Sequence, residues 1–159
     1  MIEPVDTDPR LLRVSSVLSE RSLCLHATCV RAFGRGVLFV GPSGSGKSDM
    51  ALQLMAYGAE LVADDQTILA SQNEQLIASC PEETLGKIES RGVGLLKVTM
   101  APRVPVLTLI DLGQVETDRL PEEKTIQVLG HMVRLFNKPP SGAFAAALVQ
   151  YLRAGDLAT

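Results

Sequence analysis

Apolar positions along this chain fall mostly into short runs bounded by turn residues, and take up helical spacing in only two stretches. Ser22 to Val30 suits a strand, and Gly34-Arg35-Gly36 turns it back into a second strand, Val37 to Val40. Met50, Ala51, Leu54 and Met55 then form an apolar stripe on a helix predicted from near Lys47 to Tyr57, with Gly58 as its stop. Glu60 to Asp65 reads as a short strand ending in two carboxylates. A hairpin of Thr67 to Ala70 and Gln75 to Ala78 follows across Ser71-Gln72-Asn73-Glu74. Leu95 to Thr99 and Val104 to Ile110 are further strands, the second closing at Asp111, and Ser141 is placed to cap a final helix through about Arg153. Residues before about Arg13 carry prolines and charges without periodicity, so 1–20 are assigned to an N-terminal tail or cap and 21–155 to one folded domain. Strands outnumber helices, which predicts a single α/β domain with a mixed sheet rather than a uniformly doubly wound one.

Composition narrows the function classes. A chain of 159 residues can bury a self-sufficient core as one domain. Its net charge of −3 comes without a basic block, which argues against a dedicated nucleic-acid binder and leaves any phosphate recognition to local groups. Cys24, Cys29 and Cys80 form no C-x-x-C pair, and with two histidines no metal-ligand cluster suggests itself; reduced thiols are the reading. The acidic N-terminus lacks the order of a secretory signal. The longest apolar run, around Phe144 to Leu152, is broken by Gln150 and falls short of the roughly 18 residues that span a bilayer. The chain reads as a soluble, cytoplasmic protein without membrane or nucleic-acid partners.

Between the strand Val37 to Val40 and the first helix lies Gly41-Pro42-Ser43-Gly44-Ser45-Gly46-Lys47-Ser48, a complete G-x-x-x-x-G-K-S phosphate loop. Its glycines let successive backbone N–H groups turn toward phosphate oxygens, Lys47 adds a cation, and the Ser48 hydroxyl can reach Mg²⁺. Phosphoryl transfer also needs a carboxylate, and two sites compete. Asp111 ends an apolar strand, as the usual partner of a phosphate loop does, while Asp64 and Asp65 end another. Adjacent carboxylates point differently, so one can serve a metal-bound water and the other the acceptor hydroxyl. Spacing alone leaves Asp65 and Asp111 even, with loop capping as the plain alternative for either.

The remaining candidates are weaker. Period-two alternation puts His26 on a strand face with Cys24 and Thr28, and His131 has no better context. Ile88-Glu89-Ser90-Arg91-Gly92-Val93-Gly94 combines a carboxylate, a guanidinium and glycines, which suits a loop closing on a ligand or a plain turn. Arg119, and Lys138 before Pro139-Pro140, are equally readable as solvated charges.

Together these residues resemble the bacterial HPr kinase/phosphorylase family, in its C-terminal catalytic domain. The likeness rests on the phosphate loop and on His26 placed 21 residues before Lys47. It rests further on Leu61-Val62-Ala63-Asp64-Asp65 with Asp65 following Lys47 by 18, on Glu89-x-Arg91-Gly92-x-Gly94, and on Asp118-Arg119-Leu120. It covers roughly Ser22 to Arg153. The resemblance implies a fold like that of phosphoenolpyruvate carboxykinase. It also implies ATP-dependent phosphorylation of a serine on HPr or an HPr-like carrier, and phosphorolysis of that phosphoserine by inorganic phosphate to give pyrophosphate. On this likeness Asp65 is the proton acceptor in one direction and donor in the other, assisted by His26. Lys47 contacts the moving phosphoryl, Ser48 and Glu89 hold Mg²⁺, and Arg119 stabilises charge at the acceptor or nucleotide side. The even division thus resolves toward Asp65. A homohexamer with the carrier at a subunit boundary is implied as well.

The sequence departs from the family pattern in three places. Only about twenty residues precede the first matching strand, as expected of a short form without the N-terminal domain; Asp49 replaces the usual glutamate after Ser48. The family's basic P-V-R-P-G-R loop aligns loosely with Leu135 to Ser141, where only Lys138 keeps a charge. Without those arginines the bidentate phosphate grips are missing, so the kinase direction is expected more firmly than the phosphorylase. The alternatives are a small-molecule kinase, with Asp111 organising the metal and 89–94 as a substrate lid, and a non-catalytic nucleotide sensor.

Overall fold

A computed structural model of the protein describes residues 6–158. The chain runs α1 (Pro9–Leu12), β1 (Ser15–Ser19), β2 (Ser22–Leu25), β3 (Thr28–Ala32), β4 (Arg35–Val40), α2 (Lys47–Ala56), β5 (Glu60–Ala63), β6 (Thr67–Gln72) and β7 (Gln75–Ser79). It continues through β8 (Lys87–Ser90), β9 (Gly94–Lys97), β10 (Arg103–Val115), β11 (Lys124–Val128), β12 (His131–Lys138) and α3 (Phe144–Ala154). The main sheet has the order β1-β2-β6-β7-β10-β4-β3-β5, with β12 also beside β10 and β11 outside β12. It is mixed, as expected: β10 runs parallel to β4 and β12, while its other ladders are antiparallel. No described helix is long and apolar enough to cross a membrane.

The sheet divides into two halves joined by β10. Arg103–Pro105 of that strand pair with β7, and Val106 onward pairs with β4. Elsewhere the chain crosses between halves twice, at His26-Ala27 between β2 and β3 and at Asp64–Gln66 between β5 and β6. Val37 and Phe39 of β4 pack toward Met50, Leu54, Leu148 and Leu152 of α2 and α3, while Leu38 and Val40 belong to a second core with Leu23, Leu25 and Leu69. Burial on both faces explains why β4 reads as a continuous apolar run. Gly36 is required where β4 meets β10, since a Cβ there would lie 2.7 Å from Val104 Cγ1 and 2.9 Å from the Pro105 carbonyl oxygen.

Several expectations are corrected. The strand predicted over Ser22 to Val30 is two strands, and the break at His26-Ala27 interrupts the alternation invoked for His26. The first hairpin turns at Phe33-Gly34, with φ of 54° and 73°; Arg35 already lies in β4 and its Nη1 donates to the Leu152 carbonyl at the end of α3. Ser141 does not cap α3: the helix starts at Phe144, and Ser141 Oγ accepts from the Ala143 N–H in the turn before it. In the segment assigned to a tail or cap, residues 1–5 lie outside the described residues, but α1 buries Leu11 in the core and β1 pairs with β2. Strands β8, β11 and β12 go beyond the predicted set.

Candidate functional site

Where β4 ends, the Gly41–Ser48 loop leads into α2, and Gly46 takes φ of 100° at its N-cap with no side chain capping the helix. The first-turn N–H groups of an α-helix lack intrahelical partners, so this end presents donors and a positive dipole end to any anion before it. Gly41 is sterically required, because a Cβ there would lie 2.5 Å from Ser45 Oγ. Lys47 is largely buried, and its Nζ donates to the Gly41 carbonyl at 2.9 Å and the Pro42 carbonyl at 3.3 Å. An ammonium has three donors, so one is left. Burial pushes the Lys47 pKa down, opposed by the charges of Asp65 and Asp64.

A cleft of about 400 Å³ opens over this loop, lined by Ser43, Gly44, Gly46 to Asp49, Asp64, Asp65, Glu89 and Arg91. It unites the loop with the strand-end carboxylates and the β8–β9 hairpin. Ser48 Oγ donates to Asp64 Oδ1 at 2.7 Å, Thr28 Oγ1 donates to the same oxygen at 3.0 Å, and the Glu89 N–H reaches Asp64 Oδ2 at 3.4 Å. Asp64 is therefore the hub that fixes loop, sheet and hairpin together. The site residues expected from sequence name Asp65 alone, although the adjacent pair was visible as such.

Asp65 points elsewhere. Its φ of 66° is unusual for a residue with a side chain, and it is held by its N–H to Thr28 Oγ1 and by its carbonyl, which accepts from the Ala27 N–H. The left-handed turn carries the carboxylate to the surface, 64% exposed, with Oδ1 lying 3.3 Å from His26 Nδ1. A carboxylate at the lip of the cleft, next to an imidazole, is in reach of an incoming hydroxyl and can take its proton.

Asp111 takes the plain role. Its Oδ1 accepts from the Gly113 N–H at 2.9 Å in a local turn, and it does not line the cleft. Arg119 lies exposed in the segment between β10 and β11 and is not among the lining residues, and Lys138 ends β12 beside Val115. His131 bonds Ser71 Oγ through Nε2 at 2.8 Å, a link between strands. Arg91, left without a role by sequence, lines the cleft.

The oxygens near the loop fit a hard cation: the Ser48 hydroxyl, the Asp64 carboxylate and the Glu89 side chain share one wall. Among the described residues no three His, Cys, Asp or Glu side chains form a ready-made metal cluster. A hydroxyl with two carboxylates is the kind of set that fits Mg²⁺, which keeps waters and takes phosphate oxygens alongside one or two protein carboxylates.

These features define an α/β domain with a glycine-rich loop at a helix N-terminus, facing paired carboxylates. The HPr Serine kinase C-terminal domain model matches residues 17–102, more than half of the chain, and the chain belongs to that family. HPr kinase/phosphorylase of Clostridium botulinum (strain Eklund 17B / Type B) is 41% identical over 75 residues, 47% of this chain and 25% of that protein. The protein of the same name from Clostridium beijerinckii is 37% identical over 107 residues, 67% of this chain and 31% of its own length. The chain thus spans between a quarter and a third of these relatives. The solved Hpr(Ser) kinase/phosphatase from Coxiella burnetii superposes with a TM-score of 0.71 at 26% identity, covering 83% of this chain and 89% of that one.

Proposed function

We propose that this protein is an HPr-type protein-serine kinase of the cytoplasm, using ATP and Mg²⁺ to phosphorylate a serine on HPr or an HPr-like carrier. The observation that carries the reading is the His26–Asp65 pair at the lip of the cleft whose floor is the Gly41–Ser48 loop. That loop is read as a phosphate loop of the phosphoenolpyruvate carboxykinase-like kind, and residues 21–155 as the catalytic domain.

In the forward direction Asp65 takes the serine proton as the serine oxygen attacks the γ-phosphorus. The bond to the β,γ-bridging oxygen breaks, and ADP leaves with its electron pair. His26, 3.3 Å away, orients Asp65 and shares the proton. Lys47 and the N–H groups at the start of α2 hold the β-phosphate and the moving group. Mg²⁺, when bound, neutralises phosphate charge; Ser48, Asp64 and Glu89 are the residues that would hold it. With phosphate as the attacking group, Asp65 returns the proton to the serine and pyrophosphate forms. This phosphorolysis needs no second site.

Arg119, exposed and not among the residues lining the cleft, is proposed to stabilise charge at the acceptor or nucleotide side, and a homohexamer with the carrier at a subunit boundary is proposed as the assembly. The decisive experiment incubates the protein with ATP, Mg²⁺ and the host's HPr-like carrier, maps the modified residue, then adds phosphate and assays pyrophosphate. Phosphoserine is the expected product; no phosphate transfer to any carrier would favour a nucleotide sensor instead.

A further inference from the structure

We infer that Thr28 is a positioning residue of the site: its one buried hydroxyl sets Asp64 for the metal and Asp65 for the acceptor proton, so that both carboxylates act from a single anchor. The inference rests on the kinase reading above. Thr28 opens β3, is fully buried, and pairs with Phe39 of β4. Its Oγ1 donates to Asp64 Oδ1 at 3.0 Å and accepts from the Asp65 N–H at 3.3 Å. A backbone N–H can only donate and an ionised carboxylate can only accept, so the direction of both bonds is fixed and the hydroxyl proton lies on the Asp64 side. Valine has nearly the same shape and could make neither bond.

Each carboxylate depends on that hydroxyl in a different way. Asp64 accepts from Ser48 Oγ and Thr28 Oγ1 at one oxygen and from the Glu89 N–H at the other. Ser48 belongs to the glycine-rich loop and Glu89 to the β8–β9 hairpin, so Thr28 is the donor that refers Asp64 to the main sheet. Asp65 is clamped on both sides of its α-carbon, by Thr28 at its N–H and by the Ala27 N–H at its carbonyl, 3.0 Å away. That clamp holds a φ of 66°, which a residue with a side chain leaves readily once its partners are gone. The turn in turn keeps Oδ1 of Asp65 at 3.3 Å from His26 Nδ1.

Fully buried, Thr28 meets no ligand and exchanges no proton. The serine proton still passes to Asp65 while the serine oxygen–phosphorus bond forms and the bond to the ADP oxygen breaks. Thr28 keeps the base and the metal-side carboxylate in fixed relation during that step, and misplacement of a reacting group by about 1 Å costs on the order of 10²-fold in rate.

The test compares wild type, Thr28→Val and Thr28→Ser in three measurements: ADP binding across a Mg²⁺ titration, kcat and KM for carrier phosphorylation, and hydrogen exchange at the Asp65 amide. Thr28→Val is expected to need about tenfold more Mg²⁺ and to lose about 10–100-fold in kcat. Its KM for the carrier should stay near wild type and its Asp65 amide should exchange faster, while Thr28→Ser restores all three. Unchanged kcat and Mg²⁺ dependence in Thr28→Val, even with a lowered Tm, would make Thr28 merely structural. A loss in one of the two without the other would show that the hydroxyl serves one carboxylate alone, and a Thr28→Ser as impaired as Thr28→Val would assign the effect to the methyl group. Each of these overturns the inference and leaves the kinase reading standing. Wild type that transfers no phosphate to any carrier would overturn that reading, and this assignment with it.

Discussion

Ser48 Oγ donates to Asp64 Oδ1 at 2.7 Å, which ties the first turn of α2 to the end of β5. The same carboxylate accepts from Thr28 and from the Glu89 backbone, so its charge is concentrated where a divalent ion would meet the loop. Asp64→Asn keeps the shape and removes the charge. It should shift the Mg²⁺ dependence of nucleotide binding by about tenfold or more, as read by titrating Mg²⁺ at fixed ADP. An unchanged titration would remove Asp64 from the metal site.

Asp65 and Asp111 divide cleanly in their surroundings, one at the cleft lip beside His26 and the other in a local turn. Asp65→Asn should lower transfer by about 10²–10⁴-fold with nucleotide affinity kept, and His26→Ala should give a smaller loss. Asp111→Asn should leave transfer intact. The reverse result, with Asp111 essential and Asp65 dispensable, would support a small-molecule kinase organised by Asp111.

Gly41 tests the loop's geometry without touching its charge. Its φ of 152° and the 2.5 Å approach of a built Cβ to Ser45 Oγ leave no room for a side chain. Gly41→Ala should abolish measurable ADP binding in calorimetry while the far-ultraviolet dichroism stays native. Wild-type affinity in that variant would show that the loop can relax away from the clash.

Lys47 gives the site a pH dependence of defined sign. Its ammonium has a pKa below the ordinary 10.5 because of burial, and a bound phosphate would raise it again. Phosphate affinity is therefore full below the pKa of the free protein and falls as pH rises through it, levelling off above the pKa of the complex. Binding in that alkaline window should be accompanied by proton uptake, seen as a buffer-dependent binding enthalpy. Lys47→Met should lose both the affinity and the uptake; uptake persisting in that variant would assign it to another group.

The strand-loop-helix unit was legible because every level agreed: an apolar β4, glycines in the loop, and the Met50, Ala51 and Leu54 stripe of α2. The pairing of β11 with β12 escaped notice for a physical reason. Its turn places Leu129, at φ of 48°, before Gly130, and the buried leucine hides what Asn-Gly would have advertised. Asp65 was reachable from spacing and resemblance, but the separate duty of Asp64 depends on Thr28, Ser48 and the Glu89 backbone converging from three elements. Arg91 stood out only as part of the Glu89-x-Arg91-Gly92-x-Gly94 motif, since a guanidinium in a glycine-rich hairpin reads the same whether it faces solvent or a cleft. Asp111 misled because an aspartate ending an apolar strand looks alike in either role.

The two places where the chain passes from one half of the sheet to the other are also where His26 and Asp65 stand, and they are laced together: the Ala27 N–H bonds the Asp65 carbonyl at 3.0 Å, and Thr67 Oγ1 bonds the Ala27 carbonyl at 2.8 Å. The His26–Asp65 pair is thus built into the seam, while the glycine-rich loop grows from one panel alone. The aspartate and its histidine are held to each other by the backbone of the seam, where the Ala27 N–H meets the Asp65 carbonyl.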